Sequence, residues 1–414
     1  MFIKEVKEHL LNVIVPFWSD LRDDEYGGFY GCKGYSLKVY KKHSKGVILH
    51  SRILWFFSNV YLQFHDEKCL DNAKHAFEYI KKYCIDHENG GVYWSTKYNG
   101  QIEDSTKHTY NMAFTIYALS SYYDASKDEE AIKLAEEIYH VIETKCRDSV
   151  GYLEAFDRTF HPAGNEKLSE NGVEAKKTMN TLLHVFEAYT EFYRVTKKQE
   201  VKEKLEWIMD QFADKVYNKE LKRQEVFFDE NMNSLIDLHS YGHDIETSWL
   251  IDRGCEIMNE KAYTEKMQPI TKALTKTIYE TAYHKHSLWN ECEKGVPDKR
   301  RVWWVQAETV IGFLNGYQKS PEHKEYLQAA KDVWDYIKEN VVDKRPGSEW
   351  FWELDDEGKP ITYEIQDAEQ LGEYSDIPEE LTNSKFARPI VEPWKCPYHN
   401  GRMCLEVIRR NVDA

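Results

Sequence analysis

The chain has 414 residues with 55 basic and 71 acidic side chains, a formal charge of −16 that offers no cationic footprint to nucleic acid or an anionic membrane. Its 42% hydrophobic and 30% charged residues belong to a soluble globule, and its 12 Trp, 28 Tyr and 18 Phe exceed what a core of this size needs, which suits a site that stacks flat ligand faces. Eight cysteines without a C-x-x-C pair, no secretory leader and no apolar run of about 20 residues predict a cytoplasmic protein with buried thiols.

Apolar spacings of i, i+3, i+4 and i+7 predict twelve helices, near 3–19, 45–65, 69–85, 108–125, 128–146, 176–196, 199–216, 242–258, 262–282, 301–317, 323–341 and 399–411. Between them recur glycine- and aromatic-rich punctuations: EYGGFYG at 25–31, ENGGVYW at 88–94, DSVGYLEAF at 148–156, RQEVFFDENMN at 223–233, HSLWNECEKG at 286–295 and GSEWFWELDDEG at 347–358. Their spacing of 60–76 residues fits a unit of two helices plus a short β-hairpin, repeated six times. The helix after each punctuation is apolar over much of its circumference, as in SRILWFFSNVYLQF, and its partner is amphipathic, as in KLAEEIYHVIETK. The first kind must be buried and the second must face water on one side. Two concentric rings of six satisfy both, so the expected fold is an all-α (α/α)6 barrel, one domain over 1–414, with an open solenoid as the alternative.

In such a barrel the inner helices run in one direction, and their first turns gather at one mouth. There the sequence places His50 and Arg52, Tyr110 and Asn111, Asn180 and His184, His243 and Glu246, Trp303, Trp304 and Glu308, and His399. Polar groups inside the most apolar helices are costly to bury unless partnered, so their convergence implies a network or a bound ligand. Each also has a plainer reading. His184 suits a satisfied core histidine, His243 and Glu246 a structural i, i+3 pair, Arg52 a core cation paired to Glu246, Trp303-Trp304 barrel packing, and His399 a helix cap.

No phosphate-binding glycine loop, dinucleotide fingerprint, H-E-x-x-H or nucleophile elbow occurs. His184, His243, Glu246 and His399 have no diagnostic metal spacing, and neither metal nor cofactor is expected. Histidines, an arginine, a carboxylate and several aromatics around one pocket suit a sugar ligand and proton abstraction α to a carbonyl. A glycoside hydrolase needs two carboxylates flanking the bond, for which Glu246 with Asp244 or Glu308 are the evident candidates.

The stretches KGVILHSRILWFFSNVY at 45–61, KHTYNMAF at 107–114, SYGHDIETSWL at 240–250, the WW and QAE residues of 303–308 and WKCPYHNGRMC at 394–404 resemble the cellobiose 2-epimerases of the N-acylglucosamine 2-epimerase superfamily. The resemblance covers nearly the whole chain, in order. It implies an (α/α)6 barrel that interconverts glucose and mannose configurations at C2 of the reducing-end residue of β-1,4-linked disaccharides, without metal or nucleotide. It makes His243 and His399 the acid/base pair, with Arg52 on the enediolate and Glu246 orienting His243. His184 and Asn180 would sit near the reacting carbons, Tyr110 and Glu291 on sugar hydroxyls, and Trp304 and Trp394, with Trp303 beside them, against the rings. The implied path is ring opening, C2 deprotonation to a cis-enediol, rotation about C2–C3 and reprotonation. A small-molecule disaccharide is the expected partner and a monomer the expected state.

Trp304 and His399 are 95 residues apart, longer than the other inner-helix steps, which places an acidic insertion near 361–388, read as a solvated loop or a lid. The alternatives are a monosaccharide epimerase or aldose–ketose isomerase of the same superfamily, or a non-catalytic sugar-binding barrel.

Overall fold

The computed structural model describes residues 2–168, 171–364 and 385–412. Among them, helices alternate between two concentric rings. The outer ring is 2–19 (α1), 67–84 (α3), 129–146 (α5), 199–216 (α7), Lys261–Thr281 (α9) and 324–341 (α11). The inner ring is Val47–Phe64 (α2), Thr109–Ser126 (α4), Met179–Thr196 (α6), Tyr241–Met258 (α8), Trp303–Lys319 (α10) and Tyr398–Arg410 (α12). Each inner helix packs on its neighbours in sequence, and α12 packs back on α2. The ring is closed, as an (α/α)6 barrel requires, and the open solenoid falls away.

The burial follows the patterning. In α2 every residue from Val47 to Val60 is buried, so the helix has no solvent face. In α5 Ala131, Ile132, Leu134, Ala135, Ile138 and Tyr139 are buried while Glu129, Glu130, Lys133 and Glu137 face water. Inner helices pass to outer ones in tight turns at the far end, where His65, Lys127, Lys197 and Asn259 take a left-handed conformation. Asp66 and Asp128 then cap the next helix by accepting from the amides of Lys68 and Glu130. With the far end so short, the long connections all lie at the mouth.

Strand pairing there differs in one respect from hairpins confined to single units. Local hairpins form, such as Tyr217–Asn218 with Arg223–Gln224 and Glu291–Glu293 with Val296–Asp298. The residues just before five of the six inner helices, however, pair with the following unit: Lys45–Gly46 with Ser95–Thr96, Lys107–His108 with Ala155–Phe156, Lys177–Thr178 with Phe227–Phe228, Leu238–Ser240 with Glu291–Glu293, and Arg301–Val302 with Glu353–Leu354. A bridge from Lys33 to Val391 joins the first loop to the last. This pairing also explains why α2 and α10 start two residues after the expected 45 and 301.

Ion pairs brace the same loops, the first two fully buried and the third with its aspartate partly exposed. Lys45 Nζ meets Asp23 Oδ2 at 2.6 Å, Lys107 meets Asp86 at 2.9 Å and Lys177 meets Asp148 at 2.6 Å. The other oxygen of each aspartate accepts amides two and three residues on, folding the turn that carries the punctuating glycine. Lys45 and Asp23 are both 0% exposed, and removing one partner strands the other charge in the interior. Lys45→Met is therefore expected to destabilise the protein by about 3–5 kcal/mol in urea unfolding.

Much of the aromatic surplus goes to interior packing rather than to a ligand: Trp18, Trp249, Trp303, Trp334 and Trp350 are fully buried. Tyr363–Glu364 pairs with Lys385–Phe386, and the rest of the expected insertion at 361–388, residues 365–384, lies outside the described residues. Among the described residues no helix is long and apolar enough to cross a membrane.

Candidate active site

Strand Leu238–Ser240 delivers the chain into α8, whose first turn carries His243. The His243 Nδ1 lies 2.7 Å from Ser240 Oγ. His399 opens α12, and its Nδ1 lies 2.7 Å from Glu308 Oε1 on α10. Both rings rest against the Trp304 indole, at centroid distances of 4.9 Å for His243 and 5.4 Å for His399. Two imidazoles separated by 156 residues of sequence thus flank one aromatic plate, each with Nδ1 engaged and Nε2 left for a ligand. Burial lowers the His243 pKa to about 3 and, with the nearby charges of Arg402 and Arg52, holds that of His399 well below 6.5.

Arg52 projects from α2 into the same space. Its guanidinium donates to Tyr110 Oη at 2.9 Å and Cys396 Sγ at 3.7 Å, and lies 4.2 Å from the Phe114 ring centre and 4.7 Å from that of Tyr398. Its buried Nε has no partner, and among the described residues no carboxylate lies within ion-pair distance of it. Pairing with Glu246 is thus not what forms. A cation 2% exposed with only a phenol, a thiol and aromatic faces around it favours an anion from outside.

Glu246 is placed differently from the expectation that it orients His243. It bonds Arg402, and its Oε2 lies 4.0 Å from His184 Nε2, while Ser240 occupies the His243 Nδ1. The reason is local: His243 sits in the first turn and folds back on the residue before its helix, so the side chain one turn on faces the barrel axis. There Arg402 binds Glu187, Glu246 and Glu308 together. Glu308 also accepts from Trp249 Nε1 at 2.9 Å, and Glu187 accepts from Tyr398 Oη and sits 2.8 Å from His184 Nδ1. Burial would raise the Glu187 carboxyl, but Arg402 and His184 hold it down to about 2. Burial and the charge of Glu308 push Glu246 well above the usual carboxylate range, and burial lowers His184 to about 4. Ligand atoms of Glu246, Glu308 and His399 lie within 4.8 Å of one another, and the charge placed among them is the Arg402 guanidinium.

The remaining expected residues divide. Tyr110, bonded to Arg52, lies 5.1 Å from His184 and 5.9 Å from Trp394, ring centre to ring centre, so both rings lie on the Arg52 side of the site. Asn180, half-buried in the first turn of α6, has a buried Oδ1 without a partner. Glu291 accepts from Asn171 Nδ2 at 3.1 Å on the rim. Trp303 is 1% exposed, edge-on to His399 and under the Lys395 ammonium, so it supports the site from behind rather than facing a sugar. Among the other first-turn residues, His50 is structural, accepting the Phe29 amide and bonding Gly46 O.

Glu187, Ser240, Trp249 and Arg402 had no place in the sequence reading of the site. Arg402 and Glu187 carried a signal, each being a charged residue three positions after a site histidine inside a buried helix. Ser240 and Trp249 carried none.

Comparison with known proteins matches the chain to one family. The profile described as N-acylglucosamine 2-epimerase (GlcNAc 2-epimerase) matches residues 18–371. The chain belongs to this family. It is similar to the cellobiose 2-epimerase of Ruminococcus albus, 47% identical over 413 residues covering 100% of both chains. It is also similar to the cellobiose 2-epimerase of Eubacterium cellulosolvens, 46% identical over 424 residues with 99% and 98% covered. A solved sugar epimerase from a ruminal bacterium superposes over 100% of both chains with a TM-score of 0.93 at 47% identity. Family membership makes the chain a carbohydrate epimerase, an isomerase, and bears out the resemblance read from its motifs.

Proposed function

We propose that this epimerase acts at C2 of the reducing-end glucose of a β-1,4-linked disaccharide, cellobiose being the substrate in the names of its relatives. The observation that carries the reading is the buried Arg52 cation, with no carboxylate of the described residues at ion-pair distance, beside two imidazoles that share one indole. Opening the sugar ring exposes a C1 aldehyde. His399, its Nδ1 backed by the Glu308 carboxylate, takes the C2 proton through Nε2. The C–H electron pair moves into C1–C2 while the carbonyl pair moves to oxygen, giving a cis-enediolate whose negative charge Arg52 meets. Rotation about C2–C3 turns the other face, a proton returns to C2, and the electrons flow back to the aldehyde before the ring closes.

His243, backed by the Ser240 hydroxyl and neutral in the free protein, takes the anomeric hydroxyl proton at ring opening and so becomes the acid that gives it to the ring oxygen. His184 and Asn180 contact the sugar near the reacting carbons, Tyr110 and Glu291 hold hydroxyls, and Trp304 and Trp394 stack on the two rings. The protein works as one catalytic unit without metal or cofactor, as a cytoplasmic monomer; its eight free cysteines suit a reducing compartment.

Incubation with cellobiose in D2O tests this. Glucosylmannose carrying one deuterium at C2 is expected by NMR. Product without label excludes proton transfer, deuterium at C1 of a ketose indicates aldose–ketose isomerisation, and released monosaccharide indicates hydrolysis.

A further inference from the structure

Arg402 is the most heavily engaged side chain in the barrel axis. It is 1% exposed and reaches α12, α6, α8 and α10 at once: Tyr398 on its own helix, Glu187 on α6, Glu246 on α8 and Glu308 on α10. Two of those carboxylates each hold the Nδ1 of an imidazole, Glu187 that of His184 at 2.8 Å and Glu308 that of His399 at 2.7 Å. The guanidinium itself is sandwiched, 4.1 Å from the Tyr398 ring centre and 4.7 Å from that of Trp249.

We infer that Arg402 is a positioning residue that holds two carboxylate–imidazole pairs in one register and fixes both imidazoles in the form that carries hydrogen on Nδ1 and presents Nε2 to the substrate. The inference rests on the proposed proton transfer and extends it to a group that does not touch the sugar. A carboxylate accepts and cannot donate, so an imidazole bonded to it through Nδ1 has its hydrogen there. Glu187 and Glu308 cannot both be ionised beside the Glu246 carboxyl in a dry interior without a cation among them, and the planar fork of arginine bonds all three in fixed directions.

The groups that face His399 are Arg402 and Tyr398 on its own helix, Arg52 on α2, His184 on α6, His243 and Glu246 on α8 and Glu308 on α10. The positive charges oppose its protonation and Glu308 favours it. Shortening or removing the Arg402 charge therefore leaves Glu308 less neutralised and makes His399 easier to protonate.

Arg402→Lys in the full chain, assayed with cellobiose from pH 4.5 to 9, tests the role. The expected result is a fall in kcat of about 100-fold with KM changed less than about threefold, and an acid limb of kcat/KM moved to higher pH. A kcat within threefold of wild type overturns the inference. So does a loss confined to KM, or a loss whose acid limb moves only as far as the acid unfolding midpoint followed by circular dichroism, which marks a merely structural residue. If the variant does not fold, 15N spectra of wild-type protein, with His184→Asn and His399→Asn for assignment, decide instead: hydrogen on Nε2 of either ring overturns the inference, and hydrogen on Nδ1 of both supports it. The tautomer measurement does not depend on turnover, so failure of the epimerase reading, seen as no C2 deuteration by the wild type, is distinguishable from failure of the Arg402 role.

Discussion

Replacing His399 by asparagine is expected to lower kcat on cellobiose by about 1,000-fold while leaving KM and the folded structure nearly unchanged. The amide of asparagine reaches Glu308 where Nδ1 does, 2.7 Å away in the native protein, but offers nothing in place of Nε2. Parallel loss of C2 deuterium exchange into unreacted cellobiose locates the defect in proton abstraction. Retained exchange with lost product assigns His399 to reprotonation instead.

The wild-type pH profile adds a second signature. A base must be neutral to accept a proton, and burial keeps His243 neutral down to about pH 3 and His399 well below 6.5. Protonation of these rings in the free protein therefore does not limit activity near pH 6. Stability does. The unfolded chain binds protons on these histidines near 6.5, whereas His50 and His108 in the folded protein do so near 3 and His184 near 4. As pH falls below 6.5 the unfolded state takes up more protons, and the stabilisation present above that value is lost at about 1.4 kcal/mol per pH unit for each ring. Acid inactivation is thus expected to track unfolding by circular dichroism, not to precede it.

Arg52→Met is expected to lower kcat/KM by about 100- to 1,000-fold and at the same time to hold or raise the melting temperature. The native guanidinium is buried against Phe114 and Tyr398, with one nitrogen unpartnered and, among the described residues, no carboxylate beside it. Methionine fills that volume without a desolvated charge, so the interior gains what the reaction loses. Calorimetry beside kinetics checks both halves. A large loss of stability together with the loss of activity assigns Arg52 to the fold rather than to the enediolate.

Helix number, ring assignment and the family were legible along the chain because each depends on short-range order. Buried and half-wet helices differ in their apolar periodicity, seen in α2 against α5, and the punctuations mark every return to the mouth. First-turn positions of inner helices pointed to His243, His399, Arg52 and Trp304, since a common direction of six helices brings their N-termini together. Trp303 and Trp304 show the limit of that reasoning: adjacent on one helix, they diverge, and only packing against Lys395 and His399 decides that Trp303 is the buried one.

What the sequence could not decide is which charges meet across the axis. Glu187, Glu246, Glu308 and Arg402 come from four helices, and their pairing depends on helix rotation and ring closure, which no local spacing encodes. The same holds for strands that pair with the next unit and for Lys33 bridging to Val391. Periodicity and turn residues determined that twelve helices would bury one another. The tertiary structure alone decided that Ser240 rather than Glu246 holds His243, because an interior hydrogen bond is set by three-dimensional distance and the desolvation of its neighbours, and neither is a property of a linear segment.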